Sequence, residues 1–120
     1  MVLIENNRVL LIRRGREPFK GEWAVPGGRI EDDETAEQCA KREMKEETNL
    51  DVEIIKLTGI YSDPGRDPRL IIAAAYLVRR IGGEVKAGDD AGEARWFELS
   101  NLPNLCADHS RILDDALMLR

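Results

Sequence analysis

Residues 28–50 read GRIEDDETAEQCAKREMKEETNL, and this stretch decides the fold. At about 100° per residue, Ala36, Cys39 and Ala40 line up as an apolar stripe that a helix would turn toward a core. Asp33 or Thr35 can cap its start, and Thr35 with Gln38 has the spacing of a capping box. Glu43, Glu46 and Glu47 continue the same stripe, whereas Glu37, Gln38, Lys41 and Lys45 point elsewhere. Glu46 and Glu47 also occupy the last turn, where the helix dipole disfavours negative charge. Three converging carboxylates cannot stay unpaired in a desolvated place. A cation is required among them, and a divalent metal ion is the leading candidate. The competing reading is a solvated, salt-bridged face, which would put the carboxylates opposite the apolar stripe rather than on it.

Outward from this helix, apolar runs at residues 2–4 and 9–12 flank Glu5-Asn6-Asn7-Arg8 and read as a β-hairpin. A polar connection containing Pro18 leads to a short strand at 22–25, which ends at Pro26-Gly27-Gly28. Residues 52–61 and 70–79 read as strands separated by a loop with two prolines and a glycine. Residues 82–92 read as irregular, 94–99 as a strand with Trp96 and Phe97, and a last helix ends near Leu119 after a cap at Asp108 or Ser110. Strands interrupted by one central and one terminal helix imply an α/β sandwich, not a doubly wound nucleotide fold.

The 120 residues fit one domain spanning 1–120, with 42% apolar and 34% charged content. A net charge of −5 argues against a nucleic-acid or membrane-surface partner. Cys39 and Cys106 form no zinc spacing and no disulfide framework, and both read as small core residues. With no signal peptide and no long apolar span, a cytoplasmic location is the expectation. The short first strand and an exposed sheet edge admit a homodimer.

The order Gly28, five residues, Glu34, seven residues, Arg42-Glu43-Met44-Lys45-Glu46-Glu47-Thr48-Asn49-Leu50 resembles the Nudix box. Every defined position matches except the final glycine, where Asn49 stands. That residue would follow the helix in a left-handed conformation, which Asn tolerates best after glycine. A second common glycine, just before the first glutamate, is Asp33 here. The resemblance implies a Nudix-type α/β/α sandwich, with a mixed sheet between a catalytic helix and a C-terminal helix. It also implies hydrolysis of a nucleoside diphosphate linked to another group, with Mg²⁺ or Mn²⁺ as cofactor and more than one ion when substrate is bound. Glu46 and Glu47 would be principal ligands, Glu43 a ligand or the base that activates water, and Gly27 would add its carbonyl. Glu34 would position a ligand or water across from the helix, Gly27 would let backbone and phosphate approach closely, Gly28 and Trp23 would bind substrate, and Arg42 would orient the carboxylates. Nudix enzymes often recruit a further carboxylate, for which Glu93 is the candidate, with Asp90 and Asp89 as rivals; a merely solvated acidic loop is the alternative.

The stretch Tyr61-Ser62-Asp63-Pro64-Gly65-Arg66-Asp67-Pro68-Arg69 resembles a loop of the ADP-ribose pyrophosphatase branch. So do Gly88-Asp89-Asp90-Ala91 with Arg95-Trp96-Phe97, Asp108-His109 before Ile112-Leu113, and Pro18-Phe19-Lys20-Gly21. Arg66 and Arg69 would bind substrate, unless Asp63–Arg66 or Asp67–Arg69 pairing merely holds the loop. Trp23, Phe19 or Tyr61 could stack on a base or simply pack. His109, the single histidine, reads as a cap or surface residue. Where that branch often carries Gly-His after the second arginine, this chain has Leu70-Ile71. Three hypotheses follow: a hydrolase cutting ADP-ribose to AMP and ribose 5-phosphate, a nucleoside triphosphate pyrophosphohydrolase, and a non-catalytic Nudix-fold nucleotide sensor.

Overall fold

Strand alternation sorts the core into two layers. The computed structural model describes residues 1–88 and 91–120. Strands β1 (Val2–Glu5) and β2 (Arg8–Arg14) are joined through Asn6 and Asn7, both at positive φ. This is the backbone of a tight hairpin turn that Asn accepts at little cost. One edge of β2 carries β1 at its start and β3 (Trp23–Ala24) at its end; β6 (Ala91–Glu98) runs along the other edge. β1 pairs in parallel with β5 (Ala73–Gly83), which pairs antiparallel with β4 (Leu50–Tyr61). The sheet is therefore mixed.

Along each strand, neighbours go to opposite faces. Leu3, Leu10, Val52, Val78 and Trp96 pack under α1 (Ala36–Thr48) with Ala40 and Met44. Val2, Val9, Leu11, Ala75, Leu77 and Phe97 pack against Ile112, Leu113 and Ala116 of α2 (His109–Leu119). The result is the α/β/α sandwich expected from the sequence. Among the described residues no helix is long and apolar enough to cross a membrane.

Two strands differ most from expectation. β5 starts at Ala73 rather than residue 70 and runs on to Gly83. Leu70 closes a turn onto the Asp67 carbonyl at φ 56°, so the chain cannot yet be extended there. β6 starts at Ala91, earlier than expected, because Ala91 already pairs with Arg14 across a register shift.

The caps of α1 follow the sequence closely. Thr35 accepts the Gln38 N–H, and the Gln38 side chain accepts the Thr35 N–H. Asn49 ends the helix at φ 65°, ψ 15°. The buried stripe, however, is Cys39, Ala40, Met44, Glu47 and Thr48. Of the three helix glutamates, only Glu47 lies fully in it; Glu43 is on its shoulder and Glu46 is exposed. Met44, with no solvent exposure, takes the central place that the sequence reading passed over.

Candidate active site

The cation among the carboxylates is Arg42. Its guanidinium Nε and Nη2 donate to Glu34 at 3.0 and 2.6 Å, and Nη1 donates to Glu43 at 2.7 Å and Glu46 at 3.1 Å. Nη2 also donates to the Arg29 carbonyl at 2.9 Å. One side chain thus ties α1 to the 28–34 loop and holds three carboxylates in place. The Arg42 hydrogen bonds, helped by the Glu31 N–H, pull the Glu34 carboxyl down to about 2.

Glu47 is held differently. It is 9% exposed and accepts the Gly27 N–H at 3.1 Å. Burial lifts its carboxyl to about 7, the Gly27 N–H only partly offsetting this, and the charge of Glu43 adds to the rise. Glu43 is also raised, first by burial and then by Glu46 and Glu34, against the pull of Arg42. Its carboxylate lies against the Cα of Gly28, where any Cβ would run into it. Gly28 is thus required by close packing of a carboxylate on backbone, and Gly27 faces open space. Cys39 is buried as expected, with its thiol 3.7 Å from Arg42 Nη2 and 4.0 Å from the Gly28 carbonyl.

The donor set is all hard oxygen, suited to Mg²⁺ or Mn²⁺ rather than a soft metal. Two of its carboxyls, Glu43 and Glu47, are raised first by burial and then by the charge of neighbouring glutamates, an environment that a divalent cation would relieve. These residues fit a divalent cation. Among the described residues no three of the side chains close on one point as a ready-made chelate; they are spread around Arg42.

The other sequence candidates lie elsewhere. Arg66, its side chain 5% exposed, makes a two-pronged pair with Asp108 at 2.8 Å on both arms and donates to the Ile71 carbonyl. Burial alone would raise Asp108, but Arg66 overcomes it and leaves the carboxyl low. Arg69 grips the buried Asp67 carboxylate at 2.9 and 2.7 Å, which holds Asp67 down at about 2. Trp23 meets Phe97 edge-on with ring centroids 4.7 Å apart, and Arg95 stacks 4.8 Å from each ring. Glu93 stands opposite Arg13 on β6 and pairs with Arg95 at 3.3 Å. By alternation it shares the face of Arg95 and Phe97, opposite Trp96 and α1. Asp89 and Asp90 lie outside the described residues. A groove of about 440 Å³ bordered by Arg95, Phe97 and Leu102 sits at the β6 side, apart from the glutamates.

A model of the NUDIX domain matches residues 1–116. The chain belongs to the Nudix hydrolase family. An ADP-ribose pyrophosphatase of Methanocaldococcus jannaschii is 49% identical over 115 residues, covering 95% of this Nudix chain and 68% of that protein. The structure of an ADP-ribose pyrophosphatase from Streptococcus suis superposes with a TM-score of 0.84 at 25% identity, covering 98% of this chain and 86% of that one. A bifunctional NMN adenylyltransferase/ADP ribose pyrophosphatase from Francisella tularensis, complexed with AMP and a Mn ion, superposes with a TM-score of 0.82 at 28% identity. There the match covers 98% of this chain and 39% of that one. Other curated relatives at 27–35% identity are longer, the chain spanning 33–59% of each.

Sequence reasoning missed two supports of this Nudix site. One is the 84–88 segment, which docks on the C-terminus of α1: Lys86 N–H bonds the Thr48 carbonyl at 2.9 Å, and Gly88 N–H bonds the Glu47 carbonyl at 3.2 Å. Its signal is Gly88, where a Cβ would collide with the Glu46 carbonyl. The other is His109, neither cap nor surface residue. Its ring is part-buried and its Nδ1 accepts the Val25 N–H at 3.1 Å.

Proposed function

We propose that this Nudix chain hydrolyses the diphosphate of ADP-ribose, yielding AMP and ribose 5-phosphate, in a reaction dependent on Mg²⁺ or Mn²⁺. The observation that carries the reading is the set of hard carboxylate oxygens from Glu43, Glu46 and Glu47 on one helix, with Glu43 packed on Gly28, Glu47 on the Gly27 N–H and Glu43 and Glu46 both held by Arg42. Glu46 and Glu47 would be the principal metal ligands, with the Gly27 carbonyl completing the set and Glu43 serving as a further ligand or as the base. When bound, a divalent ion there supplies neutralisation of the diphosphate and a lower pKa for the attacking water.

The chain's own residues do the rest. Gly27, open on its exposed side, lets a diphosphate approach the backbone closely. Arg42 keeps Glu43 and Glu46 oriented, and Glu34 keeps Arg42 in place. Glu43, raised by burial, is suited to take a proton from water as its oxygen attacks phosphorus and the anhydride bond breaks. The 49% identical relative named for ADP-ribose supports the substrate.

A second reading, a nucleoside triphosphate as substrate, is favoured by one observation. Leu70-Ile71 stands where the ADP-ribose branch often has Gly-His. Leu70 moreover adopts φ 56°, a conformation natural to glycine, and is 77% exposed. A panel of nucleotide diphosphates and triphosphates with Mg²⁺ and Mn²⁺, with products identified, separates the two. AMP and ribose 5-phosphate from ADP-ribose are expected. Pyrophosphate released from a triphosphate, with ADP-ribose untouched, would transfer the assignment to the second reading.

A further inference from the structure

The glycine edge of the site is strung between two fixed points. On one side, the Gly27 N–H bonds Glu47 at 3.1 Å. On the other, only two residues back, the Val25 N–H bonds His109 Nδ1 at 3.1 Å. Pro26, fully buried and rigid in φ, lies between them, and its carbonyl accepts from the buried Met1 amino group. The strand before is tied to the same place, since the Cys106 N–H bonds the Trp23 carbonyl at 2.9 Å and Leu105 bridges Trp23. A segment this short has no slack. The His109 ring is therefore one of the anchors that set where Gly27 meets Glu47 and where Gly28 backs onto Glu43.

The ring itself is clamped. His109 opens α2, and its neighbour Asp108 is locked to buried Arg66 by two hydrogen bonds. The Cys106 sulfur lies 3.9 Å from Nδ1. To accept from Val25, Nδ1 must be bare and the proton must be on Nε2. Burial first, then the Met1 amino group, Arg66 and Arg14, against the pull of Asp108, bring the imidazole down to about 4. The neutral ring is therefore the form present at neutral pH.

From this geometry we propose that His109 is a positioning residue for the carboxylate site, acting through Val25 and Pro26 on the Gly27-Gly28 edge. The proposal rests on the reading of Glu43, Glu46 and Glu47 as a divalent-cation site. Hydrogen-bonded supports one step behind a metal site typically change its affinity by about 10–100-fold when lost. His109 would do so from the far face of the sheet, from a helix that supplies no ligand.

The test is Mn²⁺ binding, followed by electron paramagnetic resonance and by calorimetry, in the wild type, His109→Leu and His109→Asn, with melting temperatures measured alongside. Leu fills the space without an acceptor; Asn places an oxygen near the position of Nδ1. The expected result is a loss of Mn²⁺ affinity of about 10-fold or more in folded His109→Leu, and recovery to near wild type in His109→Asn. A purely structural role would lower both melting temperatures and leave both affinities alone, and that outcome overturns the proposal. If His109→Leu does not fold, His109→Asn decides: a 10-fold loss in that folded variant, which keeps the acceptor, is equally fatal. Absence of Mn²⁺ binding in the wild type would instead overturn the cation-site reading, and this proposal with it.

Discussion

Glu46 carries a charge that the fold does not need. Its side chain is 41% exposed, and it meets Arg42 at 3.1 Å alongside the shorter Arg42–Glu43 contact. Exposed pairs of this kind contribute about 0–1 kcal/mol. Glu46→Gln should therefore leave the melting temperature almost unchanged while lowering turnover by about two orders of magnitude or more. Wild-type turnover in a folded Glu46→Gln would refute the ligand assignment. Gly28 makes the complementary case, because its missing side chain is the space that the Glu43 carboxylate occupies. Gly28→Ala should push Glu43 off the glycine edge and cut turnover by about 10-fold or more. The backbone at Gly28 is not left-handed, so circular dichroism should show little loss of stability. Unchanged turnover in Gly28→Ala would mean that Glu43 need not sit there.

At the scale of elements, α1 was legible wherever its determinants are local. Thr35, Gln38 and Asn49 act within a turn of their own position, and all three stand as the sequence suggests. The lateral placement of the glutamates was less legible, because Met44 and Thr48 compete for the same face and only the sheet decides who wins. The partner of Asn49 is more distant still. Its side-chain amide donates to the Glu84 carbonyl at 3.0 Å, 35 residues away, so the departure from glycine brings a tie to the docked 84–88 segment. Asn49→Ala should lose that tie and add left-handed strain, costing about 1–2 kcal/mol in denaturant unfolding. Asn49→Gly should stay within about 0.5 kcal/mol of wild type, since relief of strain offsets the lost bond. Equal effects of the two would mean that the left-handed conformation is not what Asn49 serves.

Across the whole molecule, α2 and the 61–71 loop form a brace behind the sheet. Tyr61 donates to Asp115 at 2.7 Å, Arg111 meets Asp63 at 2.9 Å, and Arg66 is buried on Asp108. The sequence offered the local Asp67–Arg69 pair, which the structure shows, but not the partners of Tyr61, Asp63 and Arg66, which come from more than 40 residues away. The same distance hid the link between His109 and Val25. Breaking the brace by Arg66→Ala leaves the part-buried Asp108 carboxylate unpaired and should cost about 1–3 kcal/mol, read as a drop in melting temperature. His109 gives the brace a pH signature. Its pKa is near 6.5 in the unfolded chain and about 4 in the folded one, through burial first and then the Met1 amino group, Arg66 and Arg14, opposed by Asp108. Between those values the unfolded chain binds the extra proton, so the contribution is full above pH 6.5 and is lost as pH falls toward 4. Glu47, raised to about 7, works in the opposite sense over much of that window, favouring the folded state as pH falls. Comparing wild type with His109→Asn removes that overlap, because Glu47 is common to both. The stability difference between them should shrink, or reverse, by up to about 3 kcal/mol from pH 7 to pH 4. A difference independent of pH would show that His109 is not held neutral in the folded chain.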